Sequence, residues 1–166
     1  VDFYTSFGAD DSALFIEKGK MHLYGGLFDL TIGLINSTFG LEPSDWGYHQ
    51  IRHLFNVFFG ILIILFTGLL AKEIAGWRAG ILALVFLFLS PRLFGHSLMN
   101  PKDIPFAAGF AIALYYMVLF FKNFEKPNRK VILGLALGVA IAIGTRIGGV
   151  ILIFYFAVFG ALFYLN

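Results

Sequence analysis

The chain contains no cysteine and few charged residues. Of its 166 residues only 13% are charged, whereas 59% are hydrophobic and 18% aromatic. Without cysteine there can be no disulfide, thiolate metal site or cysteine nucleophile. A soluble domain carries about 25% charged residues, so this chain has too little polar surface to cover a globule in water, and we expect lipid around much of it. A cytosolic enzyme is not expected, and the scattered net charge of +2 gives no support for nucleic-acid binding.

Sequence motifs that are typical of soluble enzymes and nucleotide-binding proteins are also missing. The sequence has no GxxxxGK(S/T), GxGxxG, GxSxG or HExxH pattern, so nucleotide-binding, hydrolase and zinc-peptidase chemistries have no support. The histidines lack the spacing of a zinc site. We therefore assign no metal, and we leave open whether a divalent cation takes part. Because the chain starts at Val1 rather than at methionine and ends directly after an apolar run, we expect it to be a piece of a longer protein.

Two regions follow from the distribution of polar residues. Residues 1–50 are mixed in character and are predicted to form a loop outside the membrane. Within them, apolar residues recur at helical spacing over 27–39, a stretch too short to cross a bilayer, which predicts an interfacial helix. Residues 51–166 are predicted to form an all-α, polytopic transmembrane bundle. Its five expected spans are 51–71, 78–94, 104–121, 131–145 and 148–165.

The breaks between spans are predicted from proline, glycine and charge. Ser90-Pro91-Arg92 is expected to break or kink the second span near its far end, and the segment from Pro91 to Pro105 is predicted as a loop. The apolar run 131–165 is too long for one crossing, so its break is placed at 144–149. Gly134 and Gly138 are expected to give the fourth span a small-residue face for packing.

The distribution of basic residues predicts the orientation of the bundle. One side carries six lysines and arginines, and the other carries three. The first side is expected to be cytoplasmic, and alternation then brings residues 1–50, 90–103 and 144–149 together on the outer face. The six are Lys72, Arg78, Lys122, Lys126, Arg129 and Lys130; the three are Arg92, Lys102 and Arg146.

The outer face contains the candidate binding residues. Arg92, Lys102 and Arg146 could together neutralise a phosphate or pyrophosphate at the membrane surface, with His96 as a weaker candidate. The alternative is that these are ordinary interfacial side chains that extend toward lipid headgroups.

The acidic residues of this face have two interpretations each. Asp103 is either a simple N-cap of the third span or an acidic group that binds an acceptor, orients a basic residue or coordinates a cation. Asp29 occupies either an ordinary polar helix face or a functional position. The adjacent pair Asp10 and Asp11 is either a solvated loop or a source of a catalytic carboxylate.

The order of several short motifs resembles a known family of membrane enzymes. The motifs are Tyr24-Gly25-Gly26-Leu27, Arg52-His53-Leu54-Phe55-Asn56, Gly76-Trp77-Arg78-Ala79-Gly80, Leu89-Ser90-Pro91, Asn100-Pro101-Lys102-Asp103 and Thr145-Arg146. In this order they resemble the protein O-mannosyltransferases and aminoarabinose transferases, glycosyltransferase family 39 of the GT-C superfamily. Related members read Tyr-Pro-Pro-Leu at the first motif and Arg-x-Asp where this chain has Pro101-Lys102-Asp103.

The resemblance implies a partial GT-C fold and a specific chemistry. Such enzymes transfer a sugar from a polyprenyl-phosphate or dolichyl-phosphate donor to a protein, lipid or glycan acceptor on the outer leaflet, usually with inversion at the anomeric carbon. By position, Asp103 resembles the acidic residue of the family's second outer loop, and Arg146 resembles the cation that follows the fifth span of the full-length enzymes. Lys102 and Arg92 are candidates for contact with the phosphate. The catalytic first-loop carboxylate of the family is expected upstream of Val1, with Asp10 or Asp11 as weaker substitutes.

Three functional classes remain open from the sequence. The leading hypothesis is the N-terminal membrane part of a glycosyltransferase in the plasma (inner) membrane, with its active face outward and without activity as an isolated piece. The expected partners are the polyprenyl-phosphate sugar, membrane lipids and an unidentified acceptor. A transporter or flippase of a lipid-linked saccharide is the main alternative, although no predicted span carries a carboxylate at its middle. A non-catalytic scaffold subunit is the third.

Overall fold

The computed structural model describes residues 25–42 and 44–165, and all regular elements in these ranges are helices. This confirms the predicted all-α class. The helices are α1 (Leu27–Thr38), α2 (Trp46–Phe88), α3 (Pro91–Met99), α4 (Asp103–Lys122), α5 (Arg129–Thr145) and α6 (Ile151–Leu165), the last preceded by a 3₁₀ turn at Ile147–Val150.

Three helical segments are long and apolar enough to cross a membrane. They are Trp46–Phe88, Asp103–Lys122 and Ile147–Leu165. The chain is therefore a polytopic helical protein of the membrane type, as its composition predicts. The count of five spans is not confirmed. It stays a prediction, because residues 46–88 count as one helix and α5 has only 17 residues.

The longest helix, α2, contains a chain reversal at Gly76. This residue has φ 82° and ψ −179°, a left-handed conformation that favours glycine. Beyond it the chain runs back along the first arm, since a Cβ on Gly68 would lie 2.6 Å from the Leu84 side chain. In a continuous helix these two residues would be separated by roughly 24 Å. The reversal thus falls between the predicted spans 51–71 and 78–94, and helical geometry continues past Lys72-Glu73, where the first of them was expected to end.

The break predicted at Ser90-Pro91-Arg92 is observed, but the bound of 94 for the second span and the loop predicted from Pro91 to Pro105 are wrong. Helix α2 ends at Phe88 rather than at residue 94. Residues Pro91–Met99 form α3 inside the segment that was expected to be a loop. The cause is visible at the start of α3. The Ser90 side chain accepts a hydrogen bond from the Leu93 N–H at 3.3 Å, and proline fits the first helical turn because its missing N–H has no partner there. Ser90-Pro91 starts a helix as well as ending one.

Helices α4 and α5 pack at backbone distance. A Cβ on Gly138 would lie 2.5 Å from the Ala113 nitrogen, and a Cβ on Gly109 would lie 2.7 Å from the Ala142 nitrogen. Real side-chain carbons do not approach backbone so closely, so both positions require glycine. Gly138 therefore lies on a small-residue packing face, as predicted, and this face meets α4.

Helix α1 lies against the first arm of α2 and the start of α4. Phe28 and Ile32 are buried with Phe59, Ile63 and Ile104 in one apolar cluster. The helix covers Leu27–Thr38, close to the range 27–39 expected from periodicity. Its location at the membrane interface stays a prediction.

The α4–α5 contact generates a stability prediction. We expect Gly138→Ala to lower the free energy of unfolding by about 1–3 kcal/mol, because the added methyl group forces the two helices apart. The control is Gly160→Ala, where the nearest atom is 3.9 Å from the added carbon. The measurement is the midpoint of heat-induced loss of the monodisperse protein in detergent. An unchanged midpoint for Gly138→Ala would contradict this packing.

Candidate functional site

Three chain segments meet at one end of the bundle, which we call the polar end. The Gly25 N–H donates to the Thr145 carbonyl at 3.0 Å, and Arg146 forms an ion pair with Asp103. The predicted convergence of the outer loop, the 90–103 segment and the 144–149 break is thus observed for the part of the chain that is described. At the opposite end, Lys122 pairs with Glu73 at 3.0 Å. Which end faces outward stays a prediction.

The centre of the polar end is the pair of Asp103 and Arg146. Arg146 Nη2 donates to Asp103 Oδ1 at 2.5 Å, and the two side chains are 35% and 49% exposed for Arg146 and Asp103 respectively. A pair this exposed contributes about 0–1 kcal/mol to stability, so its main effect is to fix the directions of both groups. Asp103 is the first residue of α4, whereas the N-cap position belongs to Lys102 and has no side-chain cap. The simple N-cap interpretation of Asp103 is therefore wrong.

Asn100 connects this pair to α3. Its Nδ2 donates to Asp103 Oδ2 at 2.7 Å and to His96 Nδ1 at 3.1 Å. Its Oδ1 accepts from the backbone N–H groups of Asp103 at 3.0 Å and Lys102 at 3.3 Å. One amide side chain thus shapes the turn between α3 and α4 and joins the ion pair to the histidine.

An open cavity of about 350 Å³ lies beside this network. Arg92 and His96 lie one turn apart on α3 and face the same side, and with Asp103 they form most of the polar wall. Arg92 is exposed and makes no ion pair with any residue in the described ranges. The lining residues are Ile63, Ser90, Arg92, Leu93, His96, Asp103, Ile104 and Ala107.

The predicted site residues divide into three groups. Arg92, His96 and Asp103 line one cavity, and Arg146 reaches it through its contact with Asp103. Lys102 precedes α4 and is half-buried, but it is not part of the cavity wall. Asp10 and Asp11 lie outside the described residues, so their predicted role is untested.

Sequence reasoning missed a second ion pair at the polar end. Arg52 Nη2 lies 2.8 Å from Asp29 Oδ1, and the guanidinium lies 5.5 Å from the centre of the Phe28 ring. Asp29 is in the first turn of α1, so its charge also interacts favourably with the helix dipole. An acidic residue early in an apolar helix was the available signal, and its partner is 23 residues away in the chain.

Helix α3 is held by side chains of α2 that sequence reasoning also missed. Asn56 is 1% exposed, and its Nδ2 donates to the carbonyls of Ser97 at 2.8 Å and His96 at 3.1 Å. His53 Nδ1 lies 2.7 Å from the Leu98 carbonyl. The last carbonyls of a helix have no partner within the helix. Here α2 supplies donors to the carbonyls of Ser97 and Leu98, and a second donor to the His96 carbonyl, which also accepts from the Asn100 N–H at 2.8 Å. The cavity wall therefore has a fixed position relative to α2.

Metal ligation has no support in the part of the chain that is described. Within residues 25–42 and 44–165, no group of three or more His, Asp or Glu side chains is close enough to hold a metal ion. The question of a divalent cation therefore stays as open as the sequence left it.

Membrane-length apolar helices with a polar cavity at one end define an integral membrane protein. Comparison with known proteins gives the family. The family model described as dolichyl-phosphate-mannose-protein mannosyltransferase matches residues 21–165, and the chain belongs to this family of membrane glycosyltransferases. No curated protein and no solved structure matches the chain. The family resemblance of the sequence motifs is confirmed.

The attachment of α3 generates the next prediction. Asn56→Leu keeps a similar shape but removes the donor, which leaves the buried Ser97 carbonyl without that partner, whereas the His96 carbonyl keeps the Asn100 N–H at 2.8 Å. We expect a loss of roughly 2 kcal/mol in the free energy of unfolding, because each unsatisfied buried group costs about 1–3 kcal/mol. Thermal midpoints and hydrogen exchange over α3 measure the effect.

The control for this variant is Asn123→Ala. That amide is exposed and donates only within its own helix terminus, to the Leu119 carbonyl at 3.2 Å. Equal thermal midpoints for the two variants, or unchanged exchange over α3 in Asn56→Leu, would show that Asn56 does not hold the helix.

Proposed function

We propose that this chain transfers a sugar from a polyprenyl-phosphate donor to a protein, lipid or glycan acceptor at the outer face of the membrane. The observation that supports this most is that Arg92, His96 and Asp103 line one cavity at the polar end and that Arg146 pairs with Asp103. Membership of the mannosyltransferase family agrees with a lipid-linked sugar donor. In this proposal the polyprenyl chain stays in the bilayer and the phosphate reaches the polar end.

In this proposal the cations stabilise the negative charge of the polyprenyl phosphate that leaves. When the bond between the sugar C1 and the phosphate oxygen breaks, its electron pair stays on polyprenyl phosphate, so negative charge builds up there. Arg92 faces the cavity with a guanidinium that no ion pair in the described ranges occupies. A guanidinium fits two phosphate oxygens at once, and fixed donors aimed at developing charge lower the barrier strongly.

Asp103 orients Arg146 in this proposal. One of its oxygens accepts from Arg146 and the other from Asn100, so the carboxylate holds the cation beside the cavity. The acceptor hydroxyl attacks C1, and its proton passes to a second carboxylate. Asp10 and Asp11 are the candidates for that base in this chain, and their role stays a prediction.

The distribution of basic residues supports a site that faces outward. Exposed lysines and arginines concentrate at the end opposite the cavity, near the Lys122–Glu73 pair, and such residues mark the cytoplasmic side. We propose the plasma (inner) membrane as the location. A transporter of lipid-linked saccharides is the competing function, but the apolar stretches 54–71, 79–88, 104–121, 131–145 and 147–165 carry no charged residue.

The test measures transfer of radiolabelled sugar from a panel of polyprenyl-phosphate sugars in membranes that contain the full-length protein. We expect Arg92→Ala and Arg146→Ala to lower transfer by roughly 10²–10³-fold, the loss typical of removing one group that stabilises transition-state charge. Asp103→Asn should lose activity as well, because the amide no longer holds Arg146 by charge.

Glu73→Gln is the matched control. It weakens an ion pair that also involves α4, through Lys122, but at the opposite end of that helix. Transfer should stay within about twofold of wild type, as expected when no transition-state contact is lost. Full transfer by all three polar-end variants would reduce the cluster to interfacial anchoring. Absence of transfer by the wild type with every donor, together with movement of a lipid-linked saccharide across the membrane, would favour the transporter.

A further inference from the structure

The amide of Asn100 can take only one orientation. In the structure, Oδ1 of this amide faces two backbone N–H groups and Nδ2 faces an Asp103 oxygen. Rotating the amide by half a turn would set Nδ2 against the two N–H groups and Oδ1 against the carboxylate at 2.7 Å. All three contacts would then pair donor with donor or acceptor with acceptor, so the amide orientation follows from its neighbours.

The orientation of Asn100 determines which nitrogen of His96 carries the proton. Nδ2 of the amide can only donate, so His96 Nδ1, 3.1 Å away, must accept. The neutral ring therefore carries its single proton on Nε2. Nε2 has no hydrogen-bond partner in the ranges that the structure describes, and the ring lines the cavity together with Arg92.

We propose that Asn100 is a positioning residue that holds His96 as the Nε2–H tautomer, so that the ring presents an N–H donor to the phosphate of the lipid-linked sugar. This inference rests on the proposed function for the identity of the ligand. The bridge from Arg146 through Asp103 and Asn100 to His96 makes one hydrogen-bonded chain, so the ion pair and the imidazole are set together. The tautomer of a histidine is commonly fixed by the hydrogen bond at its other nitrogen.

A second histidine provides an internal reference. His53 Nδ1 lies 2.7 Å from the Leu98 carbonyl, which can only accept. Its Nδ1 must therefore carry a proton, so a neutral His53 is the opposite tautomer. The two rings lie on neighbouring helices of one site, and only His96 contacts Asn100.

The decisive variant is Asn100→Asp. It is isosteric, and one carboxylate oxygen keeps the two backbone N–H groups that shape the turn. The other oxygen replaces Nδ2 and, while the carboxyl group is ionised, can only accept, so a neutral His96 ring must then donate from Nδ1. A second negative charge beside Asp103 also opposes an anionic ligand.

The experiment is nitrogen NMR of the full-length protein labelled in its histidine rings, at a pH about two units above the reference pKa of ~6.5. His96→Gln assigns the His96 signal. We expect the wild type to show His96 as Nε2–H and His53 as Nδ1–H, and Asn100→Asp to convert His96 alone to Nδ1–H. A wild-type His96 in the Nδ1–H form, or a His96 signal that Asn100→Asp leaves unchanged, overturns the proposal.

Transfer kinetics test the consequence for the ligand. Asn100→Asp should raise the KM for the polyprenyl-phosphate sugar by roughly tenfold, the factor that corresponds to one lost hydrogen bond, with a smaller change for the acceptor. Because Asn100→Asp adds a charge that opposes the ligand with or without His96, the double-mutant cycle uses the neutral variant Asn100→Ser. In a His96→Gln background this substitution should have an effect of no more than about threefold, because the two changes act through one group. If the two substitutions instead multiplied their separate effects on KM, Asn100 would act independently of His96, which would contradict the positioning role. The NMR result stands whether or not transfer is detected, so it separates this inference from the proposed function.

Discussion

The close approach of α4 and α5 is the constraint on which the polar end depends. At Gly109 and Gly138 the two backbones touch, which leaves the helices almost no freedom to slide or rotate against each other. Asp103 lies about two turns before Gly109 on α4, and Arg146 directly follows the end of α5. The register of the glycine contact therefore sets the distance between carboxylate and guanidinium. A membrane protein gains little from apolar burial between helices, so contacts of this kind have to supply the precision.

The second constraint is the attachment of α3 to α2. This short helix places Arg92 and His96 in the cavity wall. Of its own side chains only Ser97 is buried, so burial of its side chains alone could not hold it in place. Asn56 and His53 solve this by bonding the carbonyls at its end, and a Cβ on Gly60 would lie 2.3 Å from the Ser97 hydroxyl, so the two helices also touch. The polar groups of the site are thus fixed to membrane helices at two points, through α2 and through α5.

The sequence predicted those features that depend on local pattern. The helical class and the small face of α5 followed from apolar runs and glycine spacing, and the meeting of three polar segments followed from counting chain crossings. The positions of the helix ends were predicted less well. Ser90-Pro91 ends one helix, as predicted, but it also starts another, and only the hydrogen bond from the Leu93 N–H to the Ser90 side chain shows this second role. Helical geometry runs past the charged Lys72 and Glu73 because the reversal needs the positive φ of Gly76.

The polar contacts of the site were beyond sequence reasoning for a different reason. Asp29 with Arg52 and Asp103 with Arg146 are paired across 23 and 43 positions of the chain, and no local pattern encodes which carboxylate meets which cation. Once paired, each carboxylate neutralises one guanidinium, which leaves Arg92 as a charge that faces the cavity without an ion-pair partner in the described ranges. A charge held beside hydrocarbon without a partner is costly, and an anionic ligand at the membrane surface would remove that cost. This charge is the reason why we propose a phosphate-bearing lipid, and not a neutral ligand, for the cavity.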